Sequence, residues 1–308
     1  MINFRYHVVS LTAVFLALAI GLVVGTAALN GPAADSLSDQ VNSLGKANGN
    51  LRDQVIHLRE DAGRKEDFLR LAAPKIIGGA LTNRRVLVLT LPGGREHAEG
   101  VRAMLAVAGA RVTGQIDVED KFIDPANGIE LLDLADKALP PTVAAATLPG
   151  NSDGVEKSSA LLAAALLDRV PAVALNDLRS VLAAYQDTGY LSTSAAPSGP
   201  AEVVVVVSDL PPTDNNAQAE NKNTLTLVAQ FDRAGRIVVG GGGVGAGNVV
   251  EAVRADPTLS KTISTVDNAD TAQGQLVTAM AVGGQLVGVA GQYGVGAGAQ
   301  GLMPKAAP

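Results

Sequence analysis

Residues 85–94 read RVLVLTLPGG, a short run of valine and leucine closed by a Pro-Gly-Gly turn. A run of this length, apolar on both faces of an extended chain, suits a strand covered from two sides. Working outward, a helix is expected over about 95–108, followed by a second strand, RVTGQIDV, over 111–118. The alternation continues with helices over 154–168, 177–186, 223–233 and 246–255. Strands are expected over 171–175, 203–208 (VVVVVS), 236–239 and 262–266. Strands of this type separated by helices predict an α/β domain over 74–290, built on a doubly wound, mostly parallel sheet. A membrane β-barrel would need many segments of about ten residues in strict alternation, a pattern this chain lacks.

Composition narrows the possible functions. The chain has 308 residues and 47% apolar content, ample for a sizeable core. Its 24 basic and 30 acidic residues leave a net charge of −6, which argues against a nucleic-acid partner. With no cysteine, disulfides and thiolate chemistry are excluded. The remaining soft or borderline metal ligands, His7, His57, His97, Met1, Met104, Met280 and Met303, are scattered, so no metal cluster is expected.

Upstream of the domain, VVSLTAVFLALAIGLVVGTAAL (8–29) contains no charged residue and as a helix would reach about 33 Å, enough to span a bilayer. Residues 1–30 are therefore read as a transmembrane anchor. A cleaved signal peptide is the competing reading, since Thr26 and Ala28 are small, but its apolar region usually covers only about 7–15 residues. Arg5 precedes the span, whereas Asp35 and Asp39 follow it and Lys46 is the first basic residue beyond. The positive-inside rule then places the N-terminus in the cytoplasm and the main domain outside it. Ala17, Gly21 and Gly25, four apart, would share one face on which two such helices could approach closely.

Residues 31–73 are read as a coiled-coil stalk. In LSDQVNSLGKANGNLRDQVIHL (37–58), Leu37, Leu44, Leu51 and Leu58 fall at heptad position d and Val41, Asn48 and Val55 at position a. The frame continues through Ala62 and Leu69 at a and Lys65 and Ala72 at d. Valine at a with leucine at d favours two parallel strands, and a lone asparagine at a sets their register. A homodimer is thus expected. The alternative is an amphipathic helix packed on its own domain. Gly45 and Gly49 favour that alternative, each costing about 1 kcal/mol of helix stability.

The segments 188–201 and 209–223 are rich in Pro, Gly, Ser and Asn and are read as surface loops and candidate partner-binding edges. The glycine-rich stretch 291–308 is read as a loosely ordered tail. The one motif with cofactor character is RIVVGGGGVGAGN, where Gly240, Gly242 and Gly245 satisfy G-x-G-x-x-G between an expected strand and helix. Asp267 lies where such a fold would offer a carboxylate to a ribose. A purely structural glycine turn explains the same residues, so no cofactor is expected. The acids Asp117, Glu119, Asp120 and Asp124 lack the spacing of a calcium loop and are read as a solvated loop. His97 is read as packing at a helix edge, and His57 falls at heptad position c, facing solvent. Neither a nucleophile elbow nor a metalloprotease motif is present, so no enzymatic activity is expected.

The stretches INFRYHVVSLTAVFLALAIGLVVG (2–25), VDNADTAQGQLVTAMA (266–281) and GQYGVGAG (291–298) resemble the MctB family of actinobacteria, commonly labelled copper transporter. The resemblance implies copper efflux or homeostasis at the cell envelope, with an outer-membrane or cell-surface pore proposed for the family. A related member, SteB, implies instead a partner similar to the membrane protein SteA, in cell separation and the control of peptidoglycan hydrolysis. One helical span per chain does not enclose a channel without high-order assembly. Any role in copper handling is therefore expected to be indirect, through a membrane-anchored dimeric scaffold that binds another envelope protein.

Overall fold

The computed structural model describes residues 4–29, 32–210, 216–243 and 247–305. The chain forms two compact units, Met1–Lys65 and Glu66–Pro308.

The described residues of the first unit are all helical. Helix α1 (Phe4–Leu29) is long and apolar enough over Phe4–Ala27 to cross a membrane, and none of that stretch is buried by protein. Its two threonine hydroxyls turn back onto the helix backbone, Thr12 donating to the Val8 carbonyl at 2.7 Å and Thr26 to that of Leu22 at 2.9 Å. No polar side-chain group of these two residues is then left to face lipid unpaired. Ala17, Gly21 and Gly25 are exposed, and a Cβ added at either glycine would meet no atom within 4 Å. Helix α2 (Pro32–Ile76) begins with proline, whose missing N–H costs nothing in a first turn. It runs unbroken through Gly45 and Gly49. Leu37, Val41, Leu44, Leu51, Val55 and Leu58 are all exposed along it, Leu44 at 68%. Asn48 is exposed in the same row.

The second unit begins with the last turns of α2, where Ala73 and Ile77 are buried and Leu69 packs against the same apolar core. Its elements are β1 (Arg85–Thr90), α3 (Arg95–Val107), β2 (Arg111–Val118), α4 (Asp120–Ile123), α5 (Gly128–Lys137), α6 (Gly154–Leu166), α7 (Leu175–Asp187), β3 (Leu191–Ala195) and β4 (Val203–Ser208). There follow α8 (Ala217–Ala234), β5 (Arg236–Gly241), α9 (Val249–Ala255), α10 (Leu259–Thr262), β6 (Ser264–Val266), α11 (Ala272–Leu286) and β7 (Gln292–Tyr293). The strands form one sheet in the order β3-β2-β1-β4-β5-β6-β7. Every pairing is parallel except β2 with β3. Alternate residues face opposite layers. Leu87, Leu89, Val204, Val206, Ile237 and Val239 meet α5 to α9 on one face. Val86, Val88, Val203, Val205 and Val238 meet α3, α11 and the base of α2 on the other. The sheet is thus mixed and mostly parallel, with helices on both faces.

Four expectations need correction. Residues 171–175 form no strand; Pro171 has no N–H to give a ladder, and Val170 beside it is 98% exposed. The expected loop over 188–201 contains β3, an antiparallel edge strand. Within the expected loop over 209–223 the chain is helical from Ala217, and residues 211–215 lie outside the described residues. The domain also extends past residue 290, because Gln292 and Tyr293 pair with β6. Residues 294–297 then fold back over a buried ion pair, so this part of the glycine-rich stretch is built into the domain.

That pair joins Arg254 of α9 to Asp267 at the end of β6, Nη1 to Oδ2 at 2.9 Å, with both side chains buried. Arg254 also donates to the carbonyls of Tyr293 at 2.7 Å and Ala297 at 2.8 Å. Asp267 accepts from the backbone N–H groups of Val295 at 2.8 Å and Gly296 at 3.0 Å. Gly294 (φ 127°) makes the turn, where a Cβ would lie 2.1 Å from Asp267 Oδ1. Removing one member of such a pair strands a buried charge. Asp267→Ala should lower unfolding stability by about 3–5 kcal/mol in urea melts followed by circular dichroism. A loss well under about 1 kcal/mol would show that the pair does not hold the C-terminal segment.

Candidate functional site

In an open parallel sheet, ligands bind beyond the carboxyl ends of the strands, where the order of connection reverses. Here that point lies between β1, whose chain continues to β2 on one side, and β4 on the other. A cavity of about 240 Å³ occupies it. Its walls come from the turn after β1 (Leu91, Pro92, Gly93), the end of β4 (Ser208, Asp209, Leu210) and α4 (Asp120, Ile123). The start of α8 (Glu220, Asn221, Thr224) and the residues leading into α9 (Gly247, Asn248) complete it.

Asp209 is held from two directions. His97, in the first turn of α3, places Nε2 at 3.2 Å from Asp209 Oδ1, and Asn248 donates to the Asp209 carbonyl at 2.8 Å. The second carboxylate oxygen, Oδ2, has no hydrogen bond among the described residues. Gly242 passes directly over this pair, and a Cβ there would fall 2.6 Å from Asp209 Oδ1 and 2.8 Å from His97 Nε2. Close backbone approach therefore accounts for the glycine at 242.

The dinucleotide motif is assembled only in part. Gly240 lies in β5 beside Val266 of β6, so Asp267 is near it in the sheet, while Gly245 lies outside the described residues. Asp267 does not face a ribose, because both of its oxygens are engaged by Arg254 and the 295–296 backbone. Nor is the start of α9 open as an anion cradle, since Asn248 Oδ1 already accepts the Val250 N–H at 2.7 Å.

The acidic residues divide into distinct environments. Asp117 is buried at the end of β2 and accepts from Ser194 at 2.5 Å, Thr90 at 2.6 Å and Gln115 at 2.9 Å, with Arg95 Nε at 3.5 Å. Burial pushes its carboxyl up, but the hydrogen bonds from Ser194, Thr90 and Gln115 and the Arg95 charge outweigh it, leaving the group below its ordinary value. The reading of Asp117 as part of a solvated loop is thus corrected. Glu119 pairs with Arg95 at 2.9 Å and accepts from Ser192 at 2.5 Å. Asp124 caps the turn after it by accepting from Ala126. Only the exposed Asp120 of this group borders the cavity.

The joining of His97 to Asp209, distant in sequence, was not anticipated. The available signal was the aspartate that closely follows the valine run of β4, a charged residue at the end of a fully buried strand.

The soft metal donors lie on several different elements. Met104 is buried in α3, Met280 is partly buried in α11, Met303 is exposed, and Met1 lies outside the described residues. His57 sits on α2 near Glu60 at 3.8 Å. Among the described residues, no group of three or more His, Cys, Asp or Glu is placed to hold a metal ion.

The family described as "Copper transport outer membrane protein, MctB" matches residues 1–304 of this sequence. The chain belongs to the MctB family. Curated relatives named "Copper transporter MctB" include one from Mycobacterium tuberculosis (strain ATCC 25618 / H37Rv), 28% identical over 313 residues, covering 97% of this chain and 98% of the relative. Another, from Mycobacterium leprae (strain TN), is 29% identical over 310 residues with the same coverage of both chains. Copper(I) favours thiolate, thioether or imidazole ligands; this MctB-family chain has no cysteine, and His97 is paired with Asp209.

The Asp117 network gives a pH signature. Its folded value is depressed below the ordinary 3.8, so the stability it provides is complete above that value and is lost as pH falls through the folded one. Wild-type protein should lose stability more steeply than Asp117→Asn below about pH 4, in urea melts across an acid series. Parallel curves would show that the network does not stabilise the fold.

Proposed function

We propose that this chain is a membrane-anchored envelope protein that acts on copper homeostasis indirectly, as a non-enzymatic dimeric scaffold. The observation that carries this reading is the exposed row Leu37, Val41, Leu44, Asn48, Leu51, Val55 and Leu58 on α2. Full burial of a leucine is worth about 1.5–3 kcal/mol, so covering four of them supplies a strong drive to associate. A row two residues wide per heptad fits one partner helix better than a globular surface, and Asn48 at position a favours a parallel, in-register pair. Ala17, Gly21 and Gly25 would extend the contact into the membrane.

The anchor would be α1, oriented with Arg5 in the cytoplasm and the domain outside, by the charge difference across the span. The α/β domain, read as doubly wound, would serve as the docking module for another envelope protein, with a SteA-like membrane protein as the candidate. The copper role comes from the family, whose named relatives are copper transporters. A nucleotide-binding role for the 240–247 loop is the weaker reading, because Asn248 and Asp267 are already fully engaged.

Light scattering of the full chain in detergent, corrected for bound detergent, tests the scaffold. The expected mass is that of two chains, falling to one in Leu44→Asp/Leu51→Asp. A wild-type monomer contradicts the proposal, and a ring of many chains would favour a pore.

A further inference from the structure

The cavity between β1 and β4 has no part in the scaffold reading, and residues of the second unit alone build it. We propose that it is a binding site for a small organic cation, an amine carrying a short apolar chain.

Size and position come first. The cavity of about 240 Å³ adjoins a recess of about 140 Å³, with which it shares Leu91, Pro92, Gly93 and Asp120. Together they reach the size of small-ligand sites, and they lie at the place where parallel sheets receive ligands. The walls are also held in position. Asn223 of α8 donates to the Ile123 carbonyl of α4 at 2.7 Å, and Asn248 and His97 hold Asp209.

The lining then selects the ligand. Leu91, Pro92, Ile123, Leu210 and Val249 give it an apolar wall. Asp120, Asp209 and Glu220 bring three carboxylates to its border, and no lysine, arginine or histidine lines it among the described residues. Arg95, in the adjoining recess, is paired with Glu119 and lies beside Asp117. A phosphate or carboxylate ligand would therefore meet carboxylates of like charge, whereas an ammonium group would donate hydrogen bonds to Asp120 and to Oδ2 of Asp209. Among the described lining residues no aromatic ring is present to stack on a sugar. An amine with a few methylene groups matches both the charge and the apolar wall.

The test is thermal unfolding of the full chain in detergent, followed by circular dichroism, with n-butylamine as probe. Butan-1-ol, butyrate and calcium are the neutral, anionic and inorganic-cation controls. Butylamine alone should raise the melting temperature in a saturable manner. Asp209→Asn and Asp120→Asn should each weaken that response at least about tenfold in apparent affinity. Asp120 is exposed, so its variant should melt like wild type without ligand and keeps the test valid if Asp209→Asn fails to fold. No rise with butylamine, an equal rise with any control, or a response unchanged in Asp120→Asn would overturn the proposal.

Discussion

The constraint on which the rest depends is an apolar row on one helix. Helix α2 holds leucine and valine in water along residues 37–58, while the same heptad frame continued to Leu69 reaches the domain core. A seam residue already packed against its own domain is not free for a partner helix. In the proposed dimer the seam would be confined to residues before Lys65, where the frame also places a charge at position d. The proposed dimer contact and the domain packing would thus use successive parts of one apolar series.

Within the domain, burial of both sheet faces fixes where chemistry can occur. Val203 to Val207 are wholly buried, so neither face of the central strands is open to a ligand, and polar groups gather beyond the strand ends. There Asp209, His97, Asn248 and Gly242 form one compact arrangement. On the opposite layer, α3 and α11 pack closely because residue 100 is glycine; a Cβ there would lie 2.3 Å from Gln275 Nε2. Helix α11 is also tied to the base of α2, since Glu66 accepts the N–H of Ala272 at 2.6 Å and so caps the helix N-terminus.

The central strands were legible because Val203–Val207 and Val86–Leu89 leave no alternative to a strand covered on both sides. Elements at the margins were not. β3 reads LSTSA, and its serines look like loop residues until the fold sets Ser192 and Ser194 against Glu119 and Asp117. The run around 171–175 has strand composition but a proline where a donor is needed. Helices α5 and α11 were not anticipated either; in α11 the apolar face is hidden by glycine and alanine, small residues that allow close packing yet carry little hydrophobic signal. At the site, the glycines were visible in sequence, but the role of Asp267 was not. Its partner Arg254 is close in sequence, yet the carboxylate is enclosed by the 293–297 segment, which composition made look like a loose tail.

The absence of cysteine and the scatter of histidine and methionine along the sequence are the grounds for proposing an assembly role rather than direct passage of metal. That role stands or falls with the parallel in-register pairing of α2. The chain has no cysteine, so Asn48→Cys introduces a single thiol at heptad position a. Oxidation of the full-length variant in membranes should yield a disulfide-linked dimer, while Asp53→Cys, on the outer face at position f, should remain monomeric under the same conditions. Equal cross-linking at both positions, or none at residue 48, would contradict the account.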